Sequence, residues 1–335
     1  MTAAQDLASP RNVAVTATAA VLARPGRIET QAVDLPAPGA GQVLIRLEGC
    51  GVCSSNLAPW EGAPWFDYPF PPGSPGHEGW GVVEAAGPDV SGSLAAGTRV
   101  ATLSDRAYAT HCLADAAATV PLPASLGEHP FPGEPLGCAM NIWRRGGIEA
   151  GQTVAIVGIG FLGALLTQLA SRAGARVVAI SRRSFSLEVA RRAGAHETLE
   201  LADAGELEGR LAELTDGTLC DRVIEATGVQ QALDAASRLV RVRGRLVIAG
   251  FHQGGPRTVD MQLWNWRGID VVNAHERDPA QYVRGIRDAV AAVEDGRLEP
   301  WPLLTHRYPL DRLGDALRDT AQRPDGFLKA IVTND

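Results

Sequence analysis

The segment "TVAIVGIGFLG" limits the possible folds of this chain more than any other stretch. An apolar run of one strand's length ends on Gly158-x-Gly160-x-x-Gly163, and the helix-patterned "FLGALLTQLASRAGA" begins within the motif. There the first glycine permits a tight turn and the second lets the backbone approach a pyrophosphate. The third lets the helix pack closely on the strand, while the helix N-terminus adds positive potential. In a chain with 37 glycines the motif alone is weak, so its place between strand and helix carries the inference of a dinucleotide site. The alternation continues through "RVVAIS", "FSLEVARRAGA", "DRVIEATG", "QQALDAASRLV" and "GRLVIAG". Strand and helix at this rhythm build a doubly wound parallel sheet, an α/β fold.

The end of the second strand bears on which dinucleotide is bound. NAD sites place an acid there for the ribose hydroxyls, but here Ser181 is followed by Arg182 and Arg183. Ser181 has no charge to repel a 2′-phosphate, and two guanidiniums can fork onto it, so NADP(H) is favoured over NAD(H). The plainer alternative is a pair of solvated arginines at a helix start. Phe161 and Leu162 within the glycine motif, and Thr227 after "DRVIEATG", complete the expected cofactor-binding set.

Upstream the rhythm differs. "VAVTATAAVL", "QVLIRLEG", "GWGVVEAAG" and "GTRVATL" are short β-rich runs between Gly/Pro turns, which suits a small irregular β domain. We expect this unit over residues 1–136, its first dozen residues a loose tail, the dinucleotide unit over 137–295, and a return to the first domain over 296–335. A length of 335 residues is comfortable for two domains. The net charge of −7 argues against nucleic acid or an anionic membrane as partner. No stretch of eighteen apolar residues predicts a transmembrane helix, and the Ala-rich start lacks the charged region of a secretory signal. Five sparse cysteines indicate a reduced, cytoplasmic chain and not a disulfide framework.

Two of those cysteines open "CGVCSSNLAPWEG". A thioredoxin-like redox pair belongs at a helix start, whereas Cys50 and Cys53 follow the strand-like "QVLIRLEGCG". Further on come His77-Glu78 in "PGSPGHEGWG" and Glu134 in "GEPLGCAMN". A thiolate, an imidazole and a carboxylate from separate loops form a three-ligand set, which leaves zinc the open fourth position of a catalytic site. Cys112 and Cys220 sit in apolar runs and are expected in the core, as is Cys50 beneath the site.

Taken together, "GVCSSNLAPWEG", "PGHEGWG", "EPLGCAMNIWRRGG" and "GIGFLG" resemble the zinc-dependent medium-chain dehydrogenase/reductase family, most closely its sorbitol and threonine dehydrogenase branch. The resemblance implies a GroES-like catalytic domain, a Rossmann domain and an active site in the cleft between them. It makes Cys53 and His77 zinc ligands and gives the third place to Glu78 or Glu134, with Cys138 a weaker candidate. Ser55 would hold the substrate hydroxyl and pass on its proton. One catalytic zinc is implied and no structural zinc, since the family's four-cysteine lobe is missing. The usual Asp after the zinc cysteine is Asn56, which predicts weaker support for His77. Ala58 stands where a relay histidine is common.

The implied activity is hydride transfer between NADP(H) and a secondary alcohol or ketone, for a polyol, cyclitol or sugar-like small molecule. A homodimer or homotetramer is expected. In the family, the segment holding Trp60, Trp65, Phe66, Tyr68 and Phe70 borders the substrate, with Glu61 and Asp67 available for hydroxyls. Asn273, His275, Glu276 and Arg277 form a polar run where the last strands near the cofactor. Two rival readings are a zinc-free quinone or enoyl reductase and a non-catalytic nucleotide-binding protein.

Overall fold

The computed structural model of the protein describes residues 13–201 and 203–334. The tail expected over the first dozen residues lies outside them. Residues 153–273 hold a six-stranded sheet, parallel throughout. Thr153–Val157 is central and buried from Val154 to Val157, as a strand covered on both faces requires. Arg176–Ser181 and Glu197–Glu200 extend the sheet on one side, and Cys220–Glu225, Val240–Ile248 and Asp270–Asn273 on the other. In chain order the strands lie 3-2-1-4-5-6, the doubly wound arrangement expected from the alternation. Between Thr153–Val157 and Cys220–Glu225 the winding reverses, and there the carboxyl ends of the strands open a crevice.

The second unit is a seven-stranded sheet, mostly antiparallel. Gln42–Gly51, Gly79–Ala86, Arg99–Thr102 and Thr119–Pro121 pair in that order, with His111–Asp115 also on Gln42–Gly51. Late in the chain, Ala330–Thr333 slots between His306–Pro309 and Gln42–Gly51. Val13–Arg24 and Arg27–Pro36 form a separate ribbon. The β-rich sheet and the doubly wound sheet are the two parts of the expected α/β class.

Helices Gly133–Gly146 and Pro279–Glu294 run between the units and cross at Gly137 and Gly285. A Cβ on Gly285 would sit 2.5 Å from the Gly137 carbonyl oxygen, so only glycine allows this approach. One apolar cluster continues from Ala101 and Val120 through Leu136 and Ile286 to Val154 and Leu165. At about 1.5–3 kcal/mol for each fully buried aliphatic chain, that seam fixes the two units around the cleft. Among the described residues no helix is long and apolar enough to cross a membrane.

Candidate active site

A cleft of about 1410 Å³ separates the units, and both expected residue sets line it, Gly163 apart. The glycine motif forms one wall. Gly158 has φ 102°, and a Cβ there would lie 2.3 Å from Thr227 Cγ2. On Gly163 it would lie 2.0 Å from the Gly158 carbonyl oxygen, whereas on Gly160 it would meet nothing within 4 Å. Packing therefore demands the first and third glycines, and the second leaves room for a ligand at the N-terminus of helix Phe161–Arg172.

Thr227 is held by a residue that the sequence reading missed. Glu225, fully buried, accepts from Thr227 N (2.7 Å), Thr227 Oγ1 (2.5 Å) and Gly228 N (2.8 Å). Arg257 Nε donates to His252 Nδ1 at 3.1 Å, so His252 Nε2–H donates to Glu225 at 2.9 Å. At the second strand end, Ser181 Oγ accepts from Arg183 N at 3.3 Å. Here the expectation needs correcting, since Arg183 does not stand free. Its Nη2 donates to the carbonyls of Pro324 (3.2 Å) and Phe327 (2.8 Å).

Opposite the glycine wall, strand Gln42–Gly51 delivers the chain to Cys53, which caps the single turn Ser54–Asn56. Its Sγ accepts from Ser55 N at 3.5 Å. Donor atoms of Cys53, His77 and Glu78 all lie within 4.8 Å of one another. His77 Nδ1 donates to the Pro75 carbonyl at 2.8 Å, which leaves Nε2 as the donor atom for the cluster. That same carbonyl accepts from Asn56 Nδ2 at 3.0 Å, and Tyr108 Oη donates to Asn56 Oδ1 at 3.0 Å. The weaker support expected from Asn56 is thus made good: a backbone carbonyl orients the imidazole, and the amide braces the carbonyl.

Glu78 is fully buried, and only a glycine at position 51 makes room for it, since a Cβ there would lie 1.8 Å from Oε2. Lys329 Nζ sits 2.7 Å from Oε1 and 2.6 Å from Oε2 but has hydrogen-bond geometry only to Oε1. Oε2 is left buried with no hydrogen bond. Burial by itself would lower the His77 pKa, yet Cys53, Glu134 and Glu78 push it up to about 10. A soft thiolate, an imidazole and a carboxylate oxygen that lacks a hydrogen bond, together in an anionic field, fit a zinc ion.

Glu134 lies outside the 4.8 Å group and takes the thiol hydrogen of Cys138 on Oε1 at 3.2 Å. Burial raises the Glu134 pKa most; His77 lowers it and Glu78 raises it further. Ser55, Ala58 and Glu61 also border the cleft. The aromatic insert divides. Trp65 faces the cleft at 63% exposure. Phe66, Phe70 and Tyr68 tilt against one another, and Tyr68 Oη bonds the Pro59 carbonyl. Trp60 packs on the seven-stranded unit's core. Asp67 is exposed and is not in the cleft lining. His275, Glu276 and Arg277 reach the cleft, His275 stacked on Phe251 at 5.3 Å, while the Asn273 side chain caps His275 N at 3.0 Å. Cys50, Cys112 and Cys220 are buried as expected, and all five cysteines are unpaired.

Lys329 is the other residue missed. Its one sequence signal is a lone charge inside the apolar run "GFLKAIV", since a buried ammonium requires a partner. Lys329→Met should strand Glu78 as an unpaired buried charge and cost the zinc-free protein about 3–5 kcal/mol. Urea denaturation of metal-stripped protein measures this, and an unchanged midpoint would show that the pair contributes nothing.

Two family models match the chain: "Alcohol dehydrogenase GroES-like domain" over residues 39–134 and "Zinc-binding dehydrogenase" over residues 162–290. Sorbitol dehydrogenase of Gallus gallus is 27% identical, covering 92% of this chain and 94% of its own length. Among solved structures, a mycobacterial quinone oxidoreductase is similar with a TM-score of 0.79 and 25% identity, covering 95% of this chain and 99% of that one. A Sinorhizobium meliloti 1021 protein, assigned as a zinc-binding dehydrogenase and bound to NADP, reaches 0.81 at 26% identity with the same coverage.

Proposed function

The chain belongs to the zinc-type medium-chain dehydrogenase/reductase family, on its sorbitol and threonine dehydrogenase branch, and on that footing we propose a specific activity. It is a zinc-dependent oxidoreductase that passes a hydride between NADP(H) and a secondary alcohol or ketone of polyol, cyclitol or sugar type. The observation that carries this reading is the convergence of Cys53, His77 and Glu78 in the cleft that the Gly158 motif also lines. In this reading residues 1–136 and 296–335 form the catalytic domain, and 137–295 bind the cofactor.

Cys53, His77 and Glu78 would hold the zinc, and Glu134 lines the same cleft. Zinc held there would supply Lewis acidity toward a substrate oxygen, and a bound nicotinamide would supply the hydride chemistry. The remaining work falls to this chain's own groups. Lys329 fixes Glu78 and offsets its charge, while the Pro75 carbonyl fixes the His77 tautomer. Ser55 Oγ receives the proton of the substrate hydroxyl during oxidation and returns it during reduction. Ala58 offers no imidazole, so the proton passes onward through water. Trp65 presents an apolar ring to the face of a sugar, with Glu61 and Glu276 available for its hydroxyls. Unpaired cysteines suit a reducing, cytoplasmic setting.

A zinc-free quinone reductase is the second reading, because a quinone oxidoreductase shares the fold. Metal analysis and a substrate panel separate the two. We expect about one zinc per chain, and NADP+ reduction with polyols, cyclitols or simple secondary alcohols that stops when the metal is chelated. Quinone reduction by metal-free protein, without alcohol oxidation, would establish the rival.

A further inference from the structure

Helix Leu313–Gln322 ends on Arg323, whose φ of 48° lies in the left-handed region. Few residues other than glycine rest there. The Arg323 N–H still bonds the Asp319 carbonyl at 2.7 Å and finishes the helix. The chain then passes along the end of strand Arg176–Ser181, held by the two bonds from Arg183 to the Pro324 and Phe327 carbonyls. A segment of the seven-stranded unit is thus strapped to the strand end where, in a doubly wound sheet, the adenosine ribose is read.

Ser181, Arg182, Arg183 and Arg323 all line the cleft there. Neither Arg182 nor Arg323 has a carboxylate partner among the described residues. Arg323 is exposed at the cleft, and desolvation with the charges of Arg183 and Arg182 lowers its pKa, so three guanidiniums crowd one another here, with the Asp325 carboxylate acting on Arg183. Pyrophosphate does not account for this charge, because its place is by Gly160 at the N-terminus of helix Phe161–Arg172.

We propose that Arg323, together with Arg182 and Ser181, forms the site for the adenosine 2′-phosphate of NADP(H), so that this phosphate bridges the two units. The inference rests on the cofactor reading above and extends it with a residue from outside the dinucleotide unit. Arg183, its fork already engaged by carbonyls, acts as the strap that positions Arg323.

The test uses full-length protein titrated calorimetrically with 2′,5′-ADP and with 5′-AMP, which differ by the 2′-phosphate alone. Arg323→Asn is the variant of choice, since asparagine tolerates left-handed backbone and keeps the helix end intact. It should weaken 2′,5′-ADP roughly ten- to a hundredfold, the usual value of a hydrogen bond to a charged group, and leave 5′-AMP unchanged. Arg323→Lys should recover part of the loss. If wild type prefers 2′,5′-ADP and Arg323→Asn keeps that preference in full, the role of Arg323 is refuted while the NADP(H) reading stands. Equal weakening of both ligands would reduce Arg323 to a general attraction for anions and also refute it. A wild type that does not distinguish the two ligands would overturn the cofactor reading, and this inference with it.

Discussion

Cys53→Ala protein should emerge from purification without bound zinc and without measurable turnover, yet fold and bind nucleotide as before. Cys53 contributes the only thiolate of the three-donor group. Without it, zinc would rest on His77 and on a Glu78 already held by Lys329, and a two-donor site of that kind does not retain the ion through dialysis. The structural loss is small, because the half-buried Cys53 Sγ accepts a weak 3.5 Å bond from Ser55 N in a single turn and has His77 as its other partner. The doubly wound unit has a core of its own around Val157, Ile180, Leu207 and Val223, untouched by the change. Elemental analysis, circular dichroism and NADPH fluorescence read the three properties separately. A metal-free Cys53→Ala enzyme with wild-type activity would falsify the zinc assignment outright.

For Ser55→Ala we expect kcat to fall by about 10²–10⁴-fold, the usual contribution of a positioned proton-transfer group. Zinc content should hold, because only the Ser55 backbone N–H, which alanine keeps, touches Cys53. Ala58→His should then add a titration near neutral pH to the rate profile of otherwise wild-type enzyme, as an imidazole at the usual relay position would. Near-normal turnover by zinc-replete Ser55→Ala would hand the proton to another group. Glu134 is the first to examine: burial raises its carboxyl pKa most, and Glu78 adds to that. Activity carried by Glu134 as a base would then be lost as pH falls through that raised pKa, and a carboxylate-to-amide substitution at 134 would remove the titration.

The doubly wound sheet was legible because its signal is local. Buried parallel strands are continuous apolar runs, as in Val154–Val157, and the glycine motif has a fixed place in the alternation. Cys53, His77, Glu78 and Glu134 could be named only because their loops resemble those of known relatives. No periodicity shows that residues so far apart in sequence will meet. Lys329 and Arg323 escaped for the same reason: Lys329 lies 251 positions from Glu78, and the strap at Arg183 depends on backbone carbonyls that any residue could supply. Asn56 shows a different limit. Its identity suggested a weakened imidazole, but the neighbouring Pro75 carbonyl does the orienting, and side-chain identity does not reveal it.

The late strand Ala330–Thr333 also imposes an order of assembly during synthesis. All six strands of the parallel sheet have been made by residue 273, whereas Gln42–Gly51 waits for its neighbour through the roughly 280 residues between Gly51 and Ala330. At ribosomal speeds that wait lasts about 15 s to a minute. Throughout it, the Gly49–Gly51 end of strand Gln42–Gly51 is unsealed, since His111–Asp115 covers only Gln42–Arg46, and Glu78 has no ammonium beside it, because Lys329 arrives immediately ahead of the late strand. The nascent chain therefore holds all six strands of its parallel sheet before Glu78 gains its ammonium, and Ala330–Thr333 joins the seven-stranded sheet only after both.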